Sequence, residues 1–240
     1  MGENKKDNGG IMAKHKRVTR KQLIKEPDEF MTTTGRIIRW GQQYARPLAY
    51  VAGAFLILMV AIAGYRYFSN NAENKAFLLL DQAVGKYETQ KTGMDVLAAY
   101  EGAREDFEYI IRKYDNTEGG KLAAVVFAGI SYDAGDAEKA IQLYTDALKH
   151  FKGDTTYQNF LWSGLGYAYE MQQDARMAVS WFEKIADGQD PVVKDVALFN
   201  MGRLYHELGD TAKSMQAYER LTTEHADSMY YRLALEKIAG

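Results

Sequence analysis

The sequence predicts an all-α protein: a single N-terminal transmembrane helix followed by an antiparallel helix-hairpin solenoid. Three observations predict it. Nineteen residues from Pro47 to Tyr65 carry no charge. Beyond Ser69, apolar residues recur at helical spacing in a frame that returns after 38 and then 36 residues. Proline occurs only at positions 27, 47 and 191, so the residue that removes a helical hydrogen bond and clashes with the preceding turn is nearly absent.

The formal charge of the 240 residues is only -2, yet it hides two opposite halves. Residues 1 to 46 hold eleven Lys or Arg against five Asp or Glu, a net of +6. From Tyr67 onward there are eighteen basic and twenty-seven acidic residues, a net of -9. The division falls at the most apolar stretch of the chain. The chain has no cysteine, which excludes structural disulfides, thiolate chemistry and cysteine-bound metals.

The charge-free run reads PLAYVAGAFLILMVAIAGY. At about 1.5 Å per residue it spans roughly 28 Å, close to the roughly 30 Å of a bilayer's hydrocarbon. Proline stands where a first helical turn tolerates it. Trp40, Tyr44 and Tyr50 flank one end, and Tyr65, Tyr67 and Phe68 the other, as suits rings that prefer the headgroup region. The expected span is 47 to 67. An uncleaved signal anchor fits better than a cleaved signal peptide, because the preceding basic arm is long and the run exceeds an ordinary h-region. Ala61, Ile62 and Ala63 imitate a cleavage pattern only in their small residues. Arg36, Arg39 and Arg46 crowd one side while an acidic domain follows Arg66. The arm is therefore expected in the cytoplasm and the C-terminal domain on the exported side. Ala49 and Gly53 form a small-xxx-small pair of the kind that packs membrane helices.

Residues 1 to 46 form the expected cytoplasmic arm. Its first dozen residues read as a flexible tail, followed by a cluster of Lys14, Lys16, Arg17, Arg20 and Lys21. For a tethered arm, anionic lipid is a nearer target than nucleic acid. Ile37, Ile38, Trp40, Gln43 and Tyr44 fall roughly on one helical side, with Arg36, Arg39 and Arg46 beside them. Residues 35 to 46 thus predict a short interfacial helix.

The repeat domain is expected over 70 to 240. Its clearest unit runs from Trp162 to Ile185: Trp162, Leu165, Gly166 and Tyr169 on a first helix, then Ala178, Phe182 and Ile185 after a turn at Gln173 and Asp174. Small residues stand where backbones approach and aromatics fill the space between. A later unit places Leu198, Met201, Gly202 and Tyr205 before Gly209 and Asp210, then Ser214, Tyr218 and Leu221. An earlier one places Ala124, Phe127, Ala128 and Ser131 before Gly135 and Asp136, then Ala140, Tyr144 and Ala147. A weaker unit pairs the run from Ala72 to about Tyr87, ended near Lys91, Thr92 and Gly93, with Ala103, Phe107 and Ile110. Residues 227 to 238 are expected to cap the last repeat, giving three and a half to four helix pairs.

These residues and spacings resemble a tetratricopeptide repeat, in which a large apolar residue, a Leu-Gly pair and a tyrosine mark the first helix and Ala, aromatic and Ala the second. The unit at 162 matches with Ile185 for the final small residue; Ala128, Ser131, Ser214 and Leu221 are departures, and the period exceeds the family's 34. With its arm, anchor and exported repeats, the chain from 36 to 235 looks like the YfgM-like tetratricopeptide proteins of the bacterial inner membrane. The segment KYDNTEGGKLAAVVFAGISYDAGDAEKAIQLY is similar to a run in that family. The resemblance implies a single-pass protein of the bacterial inner membrane with a periplasmic domain. It also implies partners among the Sec translocon, exported clients and periplasmic chaperones.

No constellation asks for catalysis. His15, His150, His206 and His225 stand in separate segments, and neither an HExxH nor a phosphate-cradling glycine loop occurs. Asp136, Asp174 and Asp210 recur in the inter-helix turns, where N-capping explains them better than a metal. Asp187, Asp190 and Asp195 read as solvated carboxylates. No catalytic, cofactor-binding or metal-binding residue and no cofactor is expected. The functional expectation is a membrane-anchored protein-binding scaffold, or alternatively a structural subunit that self-associates or organises an envelope complex. Its acidic domain is not expected to bind nucleic acid.

Overall fold

The computed structural model describes residues 29–93, 95–188 and 193–240, and the chain divides into two compact units between Gly64 and Tyr65. The lysine and arginine cluster of the arm, His15, Pro27, Asp190 and Pro191 lie outside the described residues. Ten helices account for the secondary structure of the described residues.

The first unit holds α1, Glu29–Gln43, and the opening part of α2, Ala45–Gly93. The short helix expected at 35 to 46 therefore starts earlier, and it ends three residues sooner. Pro47 supplies the reason: it has no N–H to offer the carbonyl of Gln43, so the ladder loses that rung and the helix breaks at Tyr44. The neighbouring rungs survive, with Tyr44 N–H donating to Trp40 at 3.0 Å and Leu48 N–H to Tyr44 at 2.9 Å. By helical register Gln43 belongs with Arg36 and Arg39, not with the apolar side expected for it. Among the described residues, α2 is the one helix long and apolar enough to cross a membrane. Its bulky residues in this unit stand exposed, Ile57 by 73%. The helix does not stop where the apolar run stops. Between Tyr65 and Lys91 there is no proline and a single glycine, Gly85, so nothing in the sequence breaks the turn.

The second unit begins with residues 65–93 of α2. It continues through α3, Val96–Lys113; α4, Glu118–Asp133; α5, Ala137–His150; α6, Thr155–Met171; α7, Ala175–Ala186; α8, Lys194–Glu207; and α9, Thr211–Glu224. A last helix, α10, Tyr231–Ala239, follows at the place expected for a cap. Four hairpins result, each pairing a first helix (α2, α4, α6, α8) with a second (α3, α5, α7, α9). The weak unit of the sequence is a full hairpin: Leu80, Ala83 and Tyr87 are buried on its first helix and Ala103, Phe107 and Ile110 on its second.

Three of the hairpins turn in one way. Gly135, Gln173 and Gly209 take the left-handed conformation, with φ of 85°, 61° and 77°. Each turn closes with an N–H of the following aspartate on a carbonyl five residues back: Asp136 on Ser131, Asp174 on Tyr169 and Asp210 on Tyr205, at 2.8 to 2.9 Å. The same aspartate then caps the second helix, accepting the N–H of Lys139, Met177 and Lys213. The recurring carboxylates are thus engaged in chain reversal.

Between paired helices an aromatic ring lies on bare backbone. A Cβ placed on Gly166 would meet Phe182 at 2.6 Å, and one on Gly202 would meet Tyr218 at 2.5 Å. Tyr144 makes the same contact across repeats, with Gly164 of the next first helix. Where the second repeat has Ala128 instead of glycine, the rings of Tyr100, Phe107 and Phe127 stack, the latter two with centroids 5.0 Å apart. Ser214 replaces the usual alanine without leaving a stranded hydroxyl, because its Oγ donates to the Gly202 carbonyl at 2.7 Å.

Polar pairs join one repeat to the next at sequence separations close to the period. Tyr100 OH donates to Asp136 at 2.7 Å and Lys139 Nζ to Glu108 at 2.9 Å. Arg203 meets Glu170 at 2.6 Å, and Ser228 Oγ donates to Asp195 at 2.7 Å. Asp187 is largely solvated, as expected, at 3.4 Å from Arg220, whereas Asp195, also expected to be solvated, is half-buried under its bond from Ser228. Burial, reinforced by the bond to Asp136, pushes the Tyr100 phenol up to about 12, and burial alone leads in taking Tyr144 to about 12. Tyr205, which donates to Glu183, is also raised, with burial the larger cause.

Three measurements test this construction on the full chain in detergent. Gly166→Ala, which drives a methyl into Phe182, is expected to cost about 1–3 kcal/mol. Gly85→Ala, with nothing within 4 Å of the added Cβ, is expected to stabilise by about 0.5–1 kcal/mol; denaturant midpoints read both. Gln173→Gly is expected to raise the midpoint, because Gln173 occupies the left-handed position its sister turns give to glycine, a strain of about 1 kcal/mol. The third measurement is the alkaline limit. A phenol whose folded pKa lies above its unfolded value of about 10 contributes stability that is complete below that pH and lost as pH rises through the folded value. Thermal midpoints are therefore expected to fall between about pH 10 and 12, and less steeply in Tyr144→Phe.

Candidate protein-binding face

Side-chain contacts show that the four first helices of the second unit lie side by side. Glu73 of α2 accepts the N–H groups of Glu118 and Gly119 at the start of α4, at 3.1 and 2.8 Å. At the other end of the same pair, Lys91 lies 4.0 Å from Asp133. Between α6 and α8, Arg203 binds Glu170, and Asn200 Nδ2 donates to Tyr167 OH at 3.1 Å. Helices that meet flank to flank in this way present one common outer face.

What that face carries follows from register. The buried or half-buried anchors Leu80, Ala124, Trp162 and Leu198 define equivalent positions on the four helices. Two residues before each stands an apolar side chain: Leu78, Leu122, Phe160 and Val196. Packing does not consume these residues, for Leu78 is 48% and Phe160 53% exposed, while Leu122 and Val196 are half-buried. Eight residues after each anchor the chain places Glu88, Tyr132, Glu170 and His206. The first helices thus carry an apolar row toward their N-terminal ends and a polar row toward their C-terminal ends.

Glu170 of the polar row is held in place by Arg203. Arg203 Nη2 also donates to Asn200 Oδ1 at 3.0 Å, so its guanidinium is held on both sides. The bond to Glu170 holds the Arg203 pKa above the ordinary value. Tyr132 and Tyr167 are raised chiefly by burial, Tyr132 further by the charges of Glu170 and Asp133. Beyond the last hairpin, a groove of about 490 Å³ opens among α8, α9 and α10, with Arg203, His206, Tyr218 and Ile238 in its walls.

The histidines and aspartates that stand out in the sequence stay apart from this face or serve the fold. His150 lies in the last turn of α5 and His225 ends α9, as their places in the sequence suggest. His206 alone reaches the polar row. Among the described residues no group of three or more His, Asp or Glu side chains is arranged to hold a metal ion. An apolar row with a tethered charge pair beside it is a surface able to contact another polypeptide by apolar area and by hydrogen bonding.

The tetratricopeptide repeat-like domain model matches residues 39–237. Two solved structures are similar. The crystal structure of MamA protein shares 17% identity over 67% of this chain and 79% of that one, with a TM-score of 0.51. A tetratricopeptide repeat protein from Parabacteroides merdae ATCC 43184 shares 16% identity over 67% of this chain and 59% of that one, with a TM-score of 0.52. At such identities the likeness concerns the fold. No curated protein matches the chain. The hairpin geometry, the repeated register and a family match spanning most of the sequence lead to one conclusion: the chain belongs to the tetratricopeptide repeat-like family, as a protein-interaction module.

Proposed function

We propose that this chain is a membrane-anchored scaffold. The run from 47 to 67 crosses the inner membrane of a bacterial cell, residues 1 to 46 stay in the cytoplasm, and the repeats from 70 to 240 hold partner polypeptides on the exported side. The observation that carries the reading is the coexistence of two exposed apolar surfaces of different kinds. One is the charge-free opening of α2, whose side chains are not buried among the described residues and match hydrocarbon in length. The other is the row of Leu78, Leu122, Phe160 and Val196, too narrow for a bilayer and flanked by polar groups suited to a peptide backbone.

Further support comes from the charge division at the apolar run, which favours retention of the +6 side in the cytoplasm. The resemblance to YfgM-like proteins supports partners among exported clients, chaperones and the translocon. A second reading, self-association, is favoured by α10, where Leu233 and Leu235 are exposed beside buried Ala234.

Photo-crosslinking in native membranes separates the two. A crosslinker at Phe160 is expected to capture other polypeptides, while one at Arg176, exposed on a second helix, is expected to capture few. Leu78→Gln combined with Phe160→Gln is expected to reduce capture about tenfold or more while leaving the unfolding midpoint nearly unchanged, since both side chains are half in solvent. Adducts consisting only of two copies of this chain would replace the scaffold reading by self-assembly. Recovery of the chain in the soluble fraction after alkaline washing would remove the anchor.

A further inference from the structure

We propose that α1 is a second, in-plane membrane contact: it lies in the bilayer interface with Ile37, Ile38, Trp40 and Tyr44 toward the acyl boundary and Arg36 and Arg39 toward anionic lipid phosphates. This inference rests on the anchor reading of α2.

The helix is two-faced. At 3.6 residues per turn, Ile37, Ile38, Trp40 and Tyr44 fall within an arc of about 160°, and Arg36, Arg39 and Gln43 occupy the opposite side. The apolar side is not buried by the described residues: Ile37 is 64% and Trp40 58% exposed. A soluble helix with such a stripe buries it against a core, and among the described residues the unit containing α1 offers the opening of α2, itself apolar and exposed. The composition of the stripe also selects its occupant. Trp40 and Tyr44 are in ring contact, with centroids 5.5 Å apart, and both combine an apolar body with a polar tip, the combination favoured at headgroup depth.

Charge points to the same surface. From residue 30 to residue 72 there is no Asp or Glu, while Arg36, Arg39, Arg46 and Arg66 are present. Over that stretch the sequence gives Arg36 and Arg39 no neighbouring carboxylate, and their guanidiniums suit phosphate. A continuous transmembrane course through α1 would bury Arg36 and Arg39 in hydrocarbon, which costs several kcal/mol. An in-plane course needs a change of direction before the span. The ladder is interrupted at Tyr44, where Pro47 withholds its hydrogen bond, so the change falls at its weakest rung.

The absence of cysteine in the natural chain makes the test clean. Single cysteines placed at residues 36–40, 43 and 44 of the full chain carry a nitroxide, and the protein is reconstituted in vesicles of phosphatidylcholine with phosphatidylglycerol. Accessibility to oxygen relative to a water-soluble nickel reagent is expected to oscillate with the helical period. Labels at 37, 38 and 44 should be on the lipid side and labels at 36, 39 and 43 on the water side. Omitting phosphatidylglycerol is expected to move the Ile38 label outward; an unchanged depth would overturn the assignment of the arginines to anionic headgroups. Uniform exposure to nickel would overturn the proposal, as would uniform lipid exposure on all sides, which would mean that α1 extends the span. Dipolar broadening confined to 37 and 38 would overturn it in favour of a second copy. A label at Ile57 keeps the two readings apart. If it lies in hydrocarbon while α1 is in water, only this inference fails; if it is itself in water, the anchor fails and this inference with it.

Discussion

The architecture of the repeat unit depends on one contact, an aromatic ring laid on backbone that carries no side chain. Phe182 on Gly166 and Tyr218 on Gly202 bring the two helices of a hairpin closer than any pair of branched side chains would allow. Once that distance is set, the second-helix alanines and their substitutes close the remaining space, and the first helices come near enough to their neighbours for Glu170 to reach Arg203 and Glu73 to reach the start of α4. Tyr144 on Gly164 extends the device from within a hairpin to between hairpins. The polar and apolar rows of the binding face are aligned because this contact fixes the angle and separation of their helices.

Most of the fold was legible because the residues that make this contact are unlike their surroundings. A glycine inside a helical pattern weakens the helix, so it is tolerated where a ring must lie against it. When such a glycine is followed a dozen or more residues later by a ring in an otherwise small-residue stripe, close helix packing accounts for both. The return of this pairing marked the hairpins from 155 to 224. The aspartates of the turns were equally readable, since a capping carboxylate after a left-handed residue has a chemical signature of its own. Gln173 lacks that signature, yet the aspartate beside it marked the turn. The first hairpin read faintly because Val84 stands where the last two units have glycine and because its helix shares its length with the apolar run. With no breaker between Tyr65 and Gly85, hydropathy changed where secondary structure did not.

The face was less legible than the fold. Leu78, Leu122, Phe160 and Val196 looked like ordinary members of apolar runs, and only partial exposure distinguishes them from core. A signal was present, since all four precede their anchors by two residues, but it depends on aligning α2 with the later helices. Glu73, Glu170 and Arg203 gave no local sign, because each finds its partner a repeat or more away. The same is true of Asp195 and Ser228. Side chains that act within one helix can be read from spacing, whereas those that act between repeats are read only after the period has been aligned.

The pairs that link successive repeats also make the chain a ruler with marked divisions. Tyr100 with Asp136, Tyr167 with Asn200, Glu170 with Arg203 and Asp195 with Ser228 are separated by 36, 33, 33 and 33 residues. Removing or duplicating one complete hairpin returns each surviving first helix to the same register beside its new neighbour, while an excision of half that length would set a first helix where a second one packs. Length can therefore change in whole divisions, and the extent of the binding row can evolve by counting repeats without redesign of the contacts inside them.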